Sequence, residues 1–415
     1  MIHTILIGLA VLALLSIVLE EVIHVNKAKT TLFFGCLSWL ILFVAAGTPQ
    51  AQHEVSLQLD ENLLEIATLW LFLMSTMTFV AYLNAKGMIQ ALVQRLFPLQ
   101  LTLRKLMLLV ALFALVLSAI CDNVTATLVA LGLVQSFNLE KQDKLKLAAL
   151  VIFAVNSGGV ALITGDVTTL MIFLEGHVSM SQLLVLLAPA AVSVLVLALL
   201  FSLRSSGWVS TEAVQRRFDR IDVVIAAIFF ATILSTMMFN VFYGVPPVLT
   251  FLLGLSVMFL VGRMANTDNE QTRILEYIRQ IEYDTLLFFL GILLLVGMLK
   301  EVGVLTTVAA LYSEYDPRYS NYLAGAISAI LDNVPLTAAL LKASPELVTS
   351  EWLALTYAVG VGGSLLAIGS AAGIIVMSKV KELTFVSYLR YTPMLLVAYS
   401  VGYGCTLAIA EYLYG

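Results

Sequence analysis

Charge is scarce in this sequence. Asp, Glu, Lys and Arg together make up only 12% of the 415 residues, whereas ordinary soluble domains are about a quarter charged. Hydrophobic residues account for 60% of the chain, and its mean hydropathy is +0.99. At roughly 20 residues per membrane span, the length allows about ten to twelve membrane segments. We therefore predict an all-α polytopic membrane protein, embedded in lipid and without a soluble domain.

Cysteine and histidine are almost absent as well. Cys36, Cys121 and Cys405 all fall in apolar segments without CxxC spacing, which indicates buried side chains rather than a disulfide or metal framework. The four His residues show no metal-ligand spacing. No phosphate-binding P-loop motif occurs, which disfavours an ATP-driven pump. We predict a protein that is not an enzyme and that has neither a cofactor nor a nucleic-acid partner.

The apolar run at residues 4–19 could belong to a signal peptide or to a first membrane span. No basic region precedes it and no small-x-small cleavage site follows it. These features favour a first spanning helix, with a cleaved signal peptide as the alternative.

An Asp-Asn pair occurs twice, each time inside a long apolar stretch. Asp122-Asn123 and Asp332-Asn333 lie in matching contexts. Over the twelve positions from Ser118 and from Ser328, seven residues are identical at a constant offset of 210. An ionisable residue within hydrocarbon is costly unless something compensates it, so it marks a functional site. Its duplication favours a central site built by an internal repeat.

Two kinds of segment depart from simple spans. Residues 145–176 and 350–378 are too long for one straight crossing and have glycine-rich middles, so we predict crossings broken near the midplane. Residues 106–137 and 319–345 are too short to cross twice and carry an Asp-Asn pair near the middle, which predicts re-entrant hairpins. Single crossings are predicted at residues 4–19, 31–47, 63–84, 180–203, 221–243, 246–262, 285–300 and 391–412.

The distribution of basic residues sets the predicted orientation. With ten crossings and both termini outside the cytoplasm, 19 of the 22 Lys and Arg residues face the cytoplasm, and only Lys300, Arg318 and Lys342 lie outside. The first hairpin then enters from the cytoplasm and the second from outside. Five crossings in each half predict an inverted repeat, with halves at 1–203 and 221–415 and a cytoplasmic linker at 204–220.

Hairpin tips and helix breaks expose backbone polar groups, which persist at membrane depth only around a cavity or inside protein. We therefore expect both tips and both breaks to meet around one site. Its candidate residues are Asp122, Asn123, Thr127, Asn156, Ser157, Asp166, Thr168 and Thr169 from the first half, and Ser328, Asp332, Asn333, Thr337, Ser364 and Ser370 from the second. This oxygen-rich set, with no Lys or Arg expected inside the membrane, suits a hard cation. Burial favours protonation of a carboxylate, so a proton and a metal cation can compete for it.

Plainer interpretations remain open for several of these residues. Asp122 and Asp332 could merely cap their half-helices, and Thr168 and Thr169 could hydrogen-bond to their own helix. Asp166 has no carboxylate counterpart in the repeat, where Ser370 stands, and this favours a functional role. Glu65, near the outer end of the third span, could join a proton route or be a solvated acid. Glu282 and Asp284 are predicted to be surface residues at a cytoplasmic end.

Several of these sequence segments resemble the NhaD-type sodium/proton antiporters of the ion transporter superfamily. The resemblance rests on Ser118–Thr127, Asn156–Gly159, Gly165–Thr169, Glu282–Phe289 and Ser328–Thr337. It implies exchange of Na⁺ or Li⁺ for protons across a bacterial inner membrane, of use under salt or alkaline stress. It further implies a homodimer and an elevator-like motion of the hairpin domain. The implied ion- and proton-binding residues are Asp122, Asn123, Asn156, Asp166, Thr168, Thr169, Ser328, Asp332 and Asn333, with Ser364 and Ser370 following less directly. Sodium is hypothesised at Asp122, Asp166 and Asp332.

Other functions remain as alternatives. A sodium-coupled dicarboxylate or anion carrier could use the same scaffold, although an Asp at both hairpin tips counts against it, because anions bind free helix N-termini. Arsenite efflux shares the scaffold and is not excluded by composition. A channel is disfavoured, since an inverted repeat with broken helices is typical of alternating access.

The predicted orientation can be tested by cysteine accessibility in a variant without native cysteines. We expect a cysteine introduced near Lys141 to react with an impermeant thiol reagent only from the cytoplasmic side. One introduced near Lys342 should react only from the outer side. Reaction of both positions from one side would contradict the inverted repeat.

Overall fold

Helices make up nearly all of the described chain. The structure, a computed structural model, describes residues 2–18, 25–88, 100–203, 205–210, 220–265, 277–279, 281, 283–303, 310, 314–380 and 382–414. Most of the predicted linker (204 and 211–219) and Glu282 lie outside these residues. The helices are α1 (Ile2–Val18), α2 (Lys27–Ala45), α3 (Pro49–Ala85), α4 (Leu103–Ile120), α5 (Asn123–Ser136), α6 (Lys141–Gly159), α7 (Val167–Leu174), α8 (Met180–Leu183), α9 (Leu187–Ser202), α10 (Arg220–Tyr243), α11 (Pro247–Ala265), α12 (Tyr283–Glu301), α13 (Pro317–Ser328), α14 (Asn333–Ala343), α15 (Thr349–Gly362), α16 (Ala371–Lys379), α17 (Phe385–Leu389) and α18 (Thr392–Tyr414); a 3-10 turn (Leu184–Leu186) joins α8 to α9.

Length and composition confirm a polytopic membrane protein. Within the described ranges, seven helices are long and apolar enough to cross a membrane: Lys27–Ala45, Pro49–Leu83, Leu103–Ile120, Met180–Ser202, Arg220–Tyr243, Tyr283–Glu301 and Thr392–Tyr414. Shorter apolar helices add Ile2–Ile17, Asn123–Ser136 and Pro247–Arg263. Helices are expected here because a lipid-embedded backbone must satisfy its hydrogen bonds internally.

Helix α3 begins well before the predicted span at 63–84. It starts at Pro49, and the Thr48 hydroxyl accepts a hydrogen bond from the Ala51 backbone N–H at 3.3 Å. A Thr cap followed by Pro in the first turn is a strong start signal for a helix. Hydropathy detects only the apolar part of a helix, so it placed the span correctly and missed its polar first turns.

One small β-ribbon adds to the helical class. Strands β1 (Gln100–Thr102) and β2 (Trp208–Ser210) pair antiparallel, with Leu101 opposite Val209. They lie just before α4 and soon after α9, so they tie together the two ends of the segment between them. The prediction of an all-α chain is otherwise confirmed for the described residues.

Four interruptions divide the helices at the positions that the sequence singled out. Helix α4 stops at Ile120 and α5 starts at Asn123, while α13 stops at Ser328 and α14 starts at Asn333. Longer gaps separate α6 from α7 and α15 from α16. These four interruptions give the chain four extra helix N-termini in its interior.

Glycines let these interrupted helices pack backbone to backbone. A Cβ added at Gly158 of α6 would collide with the Leu115 carbonyl of α4, and one added at Gly362 of α15 would collide with the Gly325 carbonyl of α13. The equivalent helix pair in each half is therefore packed through a glycine. The contact holds each hairpin against the interrupted helix beside it.

We expect Gly158→Ala to destabilise the protein, because the colliding atom is backbone and the helices must move apart. Overpacking of this kind costs about 1–3 kcal/mol, so the thermal unfolding midpoint of the purified protein in detergent should fall. Gly132→Ala is the matched control, since no atom lies within 4 Å of a Cβ added at Gly132 in α5. It should stabilise the helix by about 0.5–1 kcal/mol. Equal midpoints for the two variants would contradict the close packing.

Candidate functional site

The four internal helix N-termini all border one cavity. Asp122, Asp166, Asp332 and Ser370 are the N-cap residues of α5, α7, α14 and α16, and all four line a cavity of about 150 Å³. Each side chain accepts a backbone N–H: Asp122 Oδ1 from Thr125 (2.9 Å), Asp166 Oδ1 from Thr168 (3.2 Å), Asp332 Oδ1 from Val334 (3.4 Å) and Ser370 Oγ from Gly373 (3.4 Å). The capping interpretation therefore describes the local geometry correctly.

In Asp166 and Asp332, only one of the two carboxylate oxygens is used for capping. Asp166 Oδ2 accepts from Asn333 Nδ2 at 3.2 Å, and Asp332 Oδ2 accepts from Lys27 Nζ at 2.9 Å. Both contacts reach residues far away in the sequence. Asp122 differs, because its Oδ2 accepts from the Thr125 hydroxyl at 2.9 Å, within its own helix. Asp166 and Asp332 therefore link separate helices as well as capping their own.

Amide side chains connect the two halves of the sequence across the cavity. Asn333 donates to Asp166, and Asn156 Nδ2 donates to Ser370 Oγ at 2.9 Å. Asn123 lines the same cavity, and its Oδ1 accepts from the Ser118 hydroxyl at 2.7 Å. Two of these hydrogen bonds, Asn333 to Asp166 and Asn156 to Ser370, thus join sequence-predicted residues of the two halves.

Three side-chain oxygens of the predicted site residues are completely buried and make no hydrogen bond among the described residues. They are Asn156 Oδ1, Ser157 Oγ and Thr168 Oγ1. An unsatisfied buried polar group costs about 1–3 kcal/mol. Such atoms are suited to a bound cation, which is satisfied by oxygen ligands.

The remaining predicted hydroxyls donate to backbone carbonyls. Thr127 and Thr337 donate to Asn123 O and Asn333 O, one turn back in their own helices, at 2.6 and 2.8 Å. The other contacts are Thr169 Oγ1 to Gly159 O (3.4 Å), Ser328 Oγ to Val359 O (2.8 Å) and Ser364 Oγ to Val361 O (2.6 Å). These groups are buried close to the interruptions and fix the backbone there. Thr168 is also fully buried, and its backbone N–H contributes to the cap made by Asp166.

Glu65 lies apart from the cavity lining and forms an ion pair with Lys342 of α14. Both residues were predicted near the outer surface, and their contact is consistent with that placement.

A lysine in the site was not expected from the sequence. Lys27 was assigned to a cytoplasmic loop, and no Lys or Arg was predicted at the centre. Instead, Lys27 is the first residue of α2, its side chain is only 17% exposed, and it lines the cavity. The expectation of a site without a basic residue was wrong, because a lysine at a helix start can extend several ångströms to a buried partner.

Asp284 also lines the cavity, although it was predicted to be a surface residue. Its side chain is exposed, and its Oδ2 accepts from Asn26 Nδ2 at 2.7 Å. The interpretation was half correct, since Asp284 lies at the exposed edge of the cavity. In the sequence, the one indication of a role for Asp284 was its position within Glu282–Phe289, a segment that resembles the NhaD-type family.

Comparison with known proteins identifies the family of this chain. A family profile described as "Citrate transporter" matches residues 1–362. The Na(+)/H(+) antiporter NhaD of Vibrio cholerae is 32% identical over 422 aligned residues, which cover 93% of this chain and 87% of that protein. The chain belongs to the NhaD-type antiporter family.

Further sodium/proton antiporters match over nearly their whole length. The Na(+)/H(+) antiporter NhaD of Vibrio parahaemolyticus is 29% identical, with 90% of this chain and 98% of that protein covered. Sodium/proton antiporter 2 of Arabidopsis thaliana is 28% identical, with 95% and 97% covered. The family is one of transporters rather than enzymes, and the resemblance identified from the sequence is confirmed.

The caps can be tested separately from any transport activity. We expect Asp122→Ala to destabilise the purified protein by about 1 kcal/mol, because Ala cannot accept the Thr125 N–H. Asp122→Asn should unfold at nearly the wild-type temperature, since Asn caps as well as Asp. Thermal unfolding in detergent measures both variants. An equal loss of stability in the two would mean that the carboxylate charge, rather than the cap, stabilises this turn.

Proposed function

We propose that this chain exchanges Na⁺ or Li⁺ for protons across the membrane by alternating access, driven by the proton gradient. The observation that carries the proposal is the placement of four helix N-termini around one cavity, three of them capped by a carboxylate and the fourth by the Ser370 hydroxyl. Membership of the NhaD-type family, whose named relatives are sodium/proton antiporters, supports it.

The charges around the cavity favour a cation. Each helix N-terminus carries roughly half a positive charge, so four of them offset about two of the three carboxylates. The helix ends that could bind an anion are already capped by Asp122, Asp166, Asp332 and Ser370. This distinguishes the site from a carboxylate-binding one, although the family profile is described by citrate.

Neutral oxygens would complete the coordination of sodium. Among the described residues, no three His, Cys, Asp or Glu side chains are grouped closely enough to hold one metal ion. The hypothesis of sodium at Asp122, Asp166 and Asp332 therefore needs further ligands in this conformation. The unpartnered Asn156 Oδ1 and Ser157 Oγ are the first candidates, because an ion would satisfy both.

Exchange follows if proton and cation compete for the same carboxylates. A buried carboxylate without a cation favours the protonated form, and a bound cation favours the ionised one. Asp166 gives the first half two carboxylates against one in the second, where Ser370 caps the equivalent helix. We propose that Asp166 is the residue at which sodium and proton binding are coupled, since it also contacts Asn333 of the other half.

We propose an inverted repeat as the architecture behind this exchange. The halves 1–203 and 221–415 each contribute five crossings, a re-entrant hairpin (106–137 or 319–345) and a broken crossing (145–176 or 350–378). Both termini lie outside the cytoplasm, the protein resides in a bacterial inner membrane, and two copies form a homodimer. The matched interruptions of α4–α5 with α13–α14, and of α6–α7 with α15–α16, support the repeat.

The direction of the cavity follows from its exposed edge. Asp284 is exposed and Asn26 and Lys27 are partly so, and all three line the same end of the cavity. The assignment of Lys27 and Lys29 to the cytoplasmic side supports a cytoplasmic position for this end of the cavity. The conformation is therefore proposed to be open to the cytoplasm.

Replacing Asp122 or Asp332 by Asn should abolish exchange while the protein still folds. The substitution removes the titratable group but keeps a capping side chain of similar size. The measurement is proton movement induced by Na⁺, Li⁺ or K⁺ in everted membrane vesicles, with antiporter amounts matched by quantitative blotting.

Thr164→Val serves as a control beside the cavity, because the Thr164 hydroxyl donates to Ala119 O and holds no charge. It should retain sodium-dependent proton movement. Near-normal exchange in either Asn variant would remove that Asp from the mechanism. A wild-type protein that moves no protons in response to any of the three cations would refute the proposed function.

A further inference from the structure

Lys27 connects two parts of the molecule that have different roles in the proposed exchange. Its Nζ lies 2.9 Å from Asp332 Oδ2, and the Asp332 side chain is 5% exposed. Lys27 starts α2, whereas Asp332 caps α14, the second arm of a predicted hairpin. The ion pair therefore joins α2 to the predicted hairpin of the second half.

Contacts within α2 and with α12 position Lys27 beside the cavity. Asn26 caps α2 by accepting the Ala28 N–H at 2.8 Å, and its amide donates to Asp284 Oδ2 of α12 at 2.7 Å. The Lys27 ammonium lies 4.5 Å from the centre of the Phe288 ring, also on α12. Helix α2 packs along α12 through Gly35, where an added Cβ would meet Gly291 O at 2.7 Å. Lys27 thus reaches the cavity from a closely packed pair of helices.

The charges that line the cavity indicate what this lysine does. Four carboxylates line it, those of Asp122, Asp166, Asp332 and the exposed Asp284, whereas four helix N-termini supply about two positive charges. The ammonium of Lys27 supplies a further positive charge next to Asp332, and so compensates that carboxylate when no transported ion is bound. A transported monovalent cation that binds there adds a positive charge that Lys27 already provides, so the two are competitors for Asp332.

We propose that Lys27 is a tethered counter-cation, which occupies Asp332 when no transported cation is bound and is displaced when one binds. This inference rests on the proposed cation exchange. Lysine suits the role because its ammonium is a compact charge on a flexible stem, whereas Arg would bind the carboxylate through two parallel hydrogen bonds.

Displacement of Lys27 has a consequence for coupling. While the ion pair is intact, the hairpin cannot leave α2 and α12 without separating two buried charges, which is strongly unfavourable. Once a transported cation compensates Asp332, that restraint is gone. Lys27 therefore keeps the empty carrier from changing sides, and an exchanger must prevent that step to avoid running as a leak.

The test compares purified wild type, Lys27→Gln, Lys27→Arg and Lys29→Gln in proteoliposomes. Lys29 is the matched control, since it is an exposed lysine two residues further along the same helix start. Two quantities are measured at an alkaline pH: the sodium concentration for half-maximal exchange, and the release of radioactive sodium into a sodium-free medium with no pH gradient.

Loss of the competitor should lower the half-maximal sodium concentration of Lys27→Gln on the order of tenfold, the change expected for one lost charge interaction. The same variant should release sodium into sodium-free medium faster than wild type. Lys27→Arg should raise the half-maximal concentration, and Lys29→Gln should match wild type in both measurements.

A purely structural ion pair would give a different result. Lys27→Gln would then have an unchanged or higher half-maximal sodium concentration and no leak, and either finding overturns the inference. If Lys27→Gln cannot be purified, Lys27→Arg decides, because an unchanged half-maximal concentration in that variant also overturns it. Failure of wild type to exchange sodium for protons would refute the proposed function instead.

Discussion

A helix that begins inside a membrane leaves several backbone N–H groups without acceptors, and this constraint governs the whole centre of the molecule. Lipid cannot supply the missing acceptors, so the chain supplies them from its own side chains. Asp122, Asp166, Asp332 and Ser370 do so at four helix starts. Because three of these caps are carboxylates, satisfying the backbone also concentrates negative charge. The candidate site and the structural caps therefore share the same side chains.

The local features of this centre could be predicted from the sequence. The duplicated Asp-Asn pair and the glycine-rich middles of two overlong apolar segments located all four interruptions, because a helix break depends on a few neighbouring residues. Features that depend on distant partners were missed. Lys27 looks like any lysine beside a membrane span, and only the folded chain places it 2.9 Å from Asp332. Likewise, the β-ribbon consists of two three-residue strands that are defined by pairing across more than a hundred residues.

The two halves have similar glycine contacts and helix interruptions, but their charged residues differ. Glycine contacts recur between α4 and α6 and between α13 and α15, and the back-bonded Thr127 corresponds to Thr337. Against this symmetry, Asp166 stands opposite Ser370, and Lys27 pairs with Asp332 while Asp122 bonds within its own helix. A symmetric scaffold provides two related arrangements of similar energy, and the unequal charges determine which ion favours which arrangement.

The β-ribbon also bears on how the protein is made. Its pairing, together with the Arg104 Nε bond to Ser205 O at 2.9 Å, closes residues 100–210 into a loop whose ends are fastened to each other. That loop holds Asp122 and Asp166, and it is complete before the ribosome has translated Asn333. During that interval the nascent chain carries an Asp166 carboxylate that lacks its later amide partner. Until the hairpin of the second half is added, the contacts of Asp166, such as the cap with the Thr168 N–H, come from its own half alone.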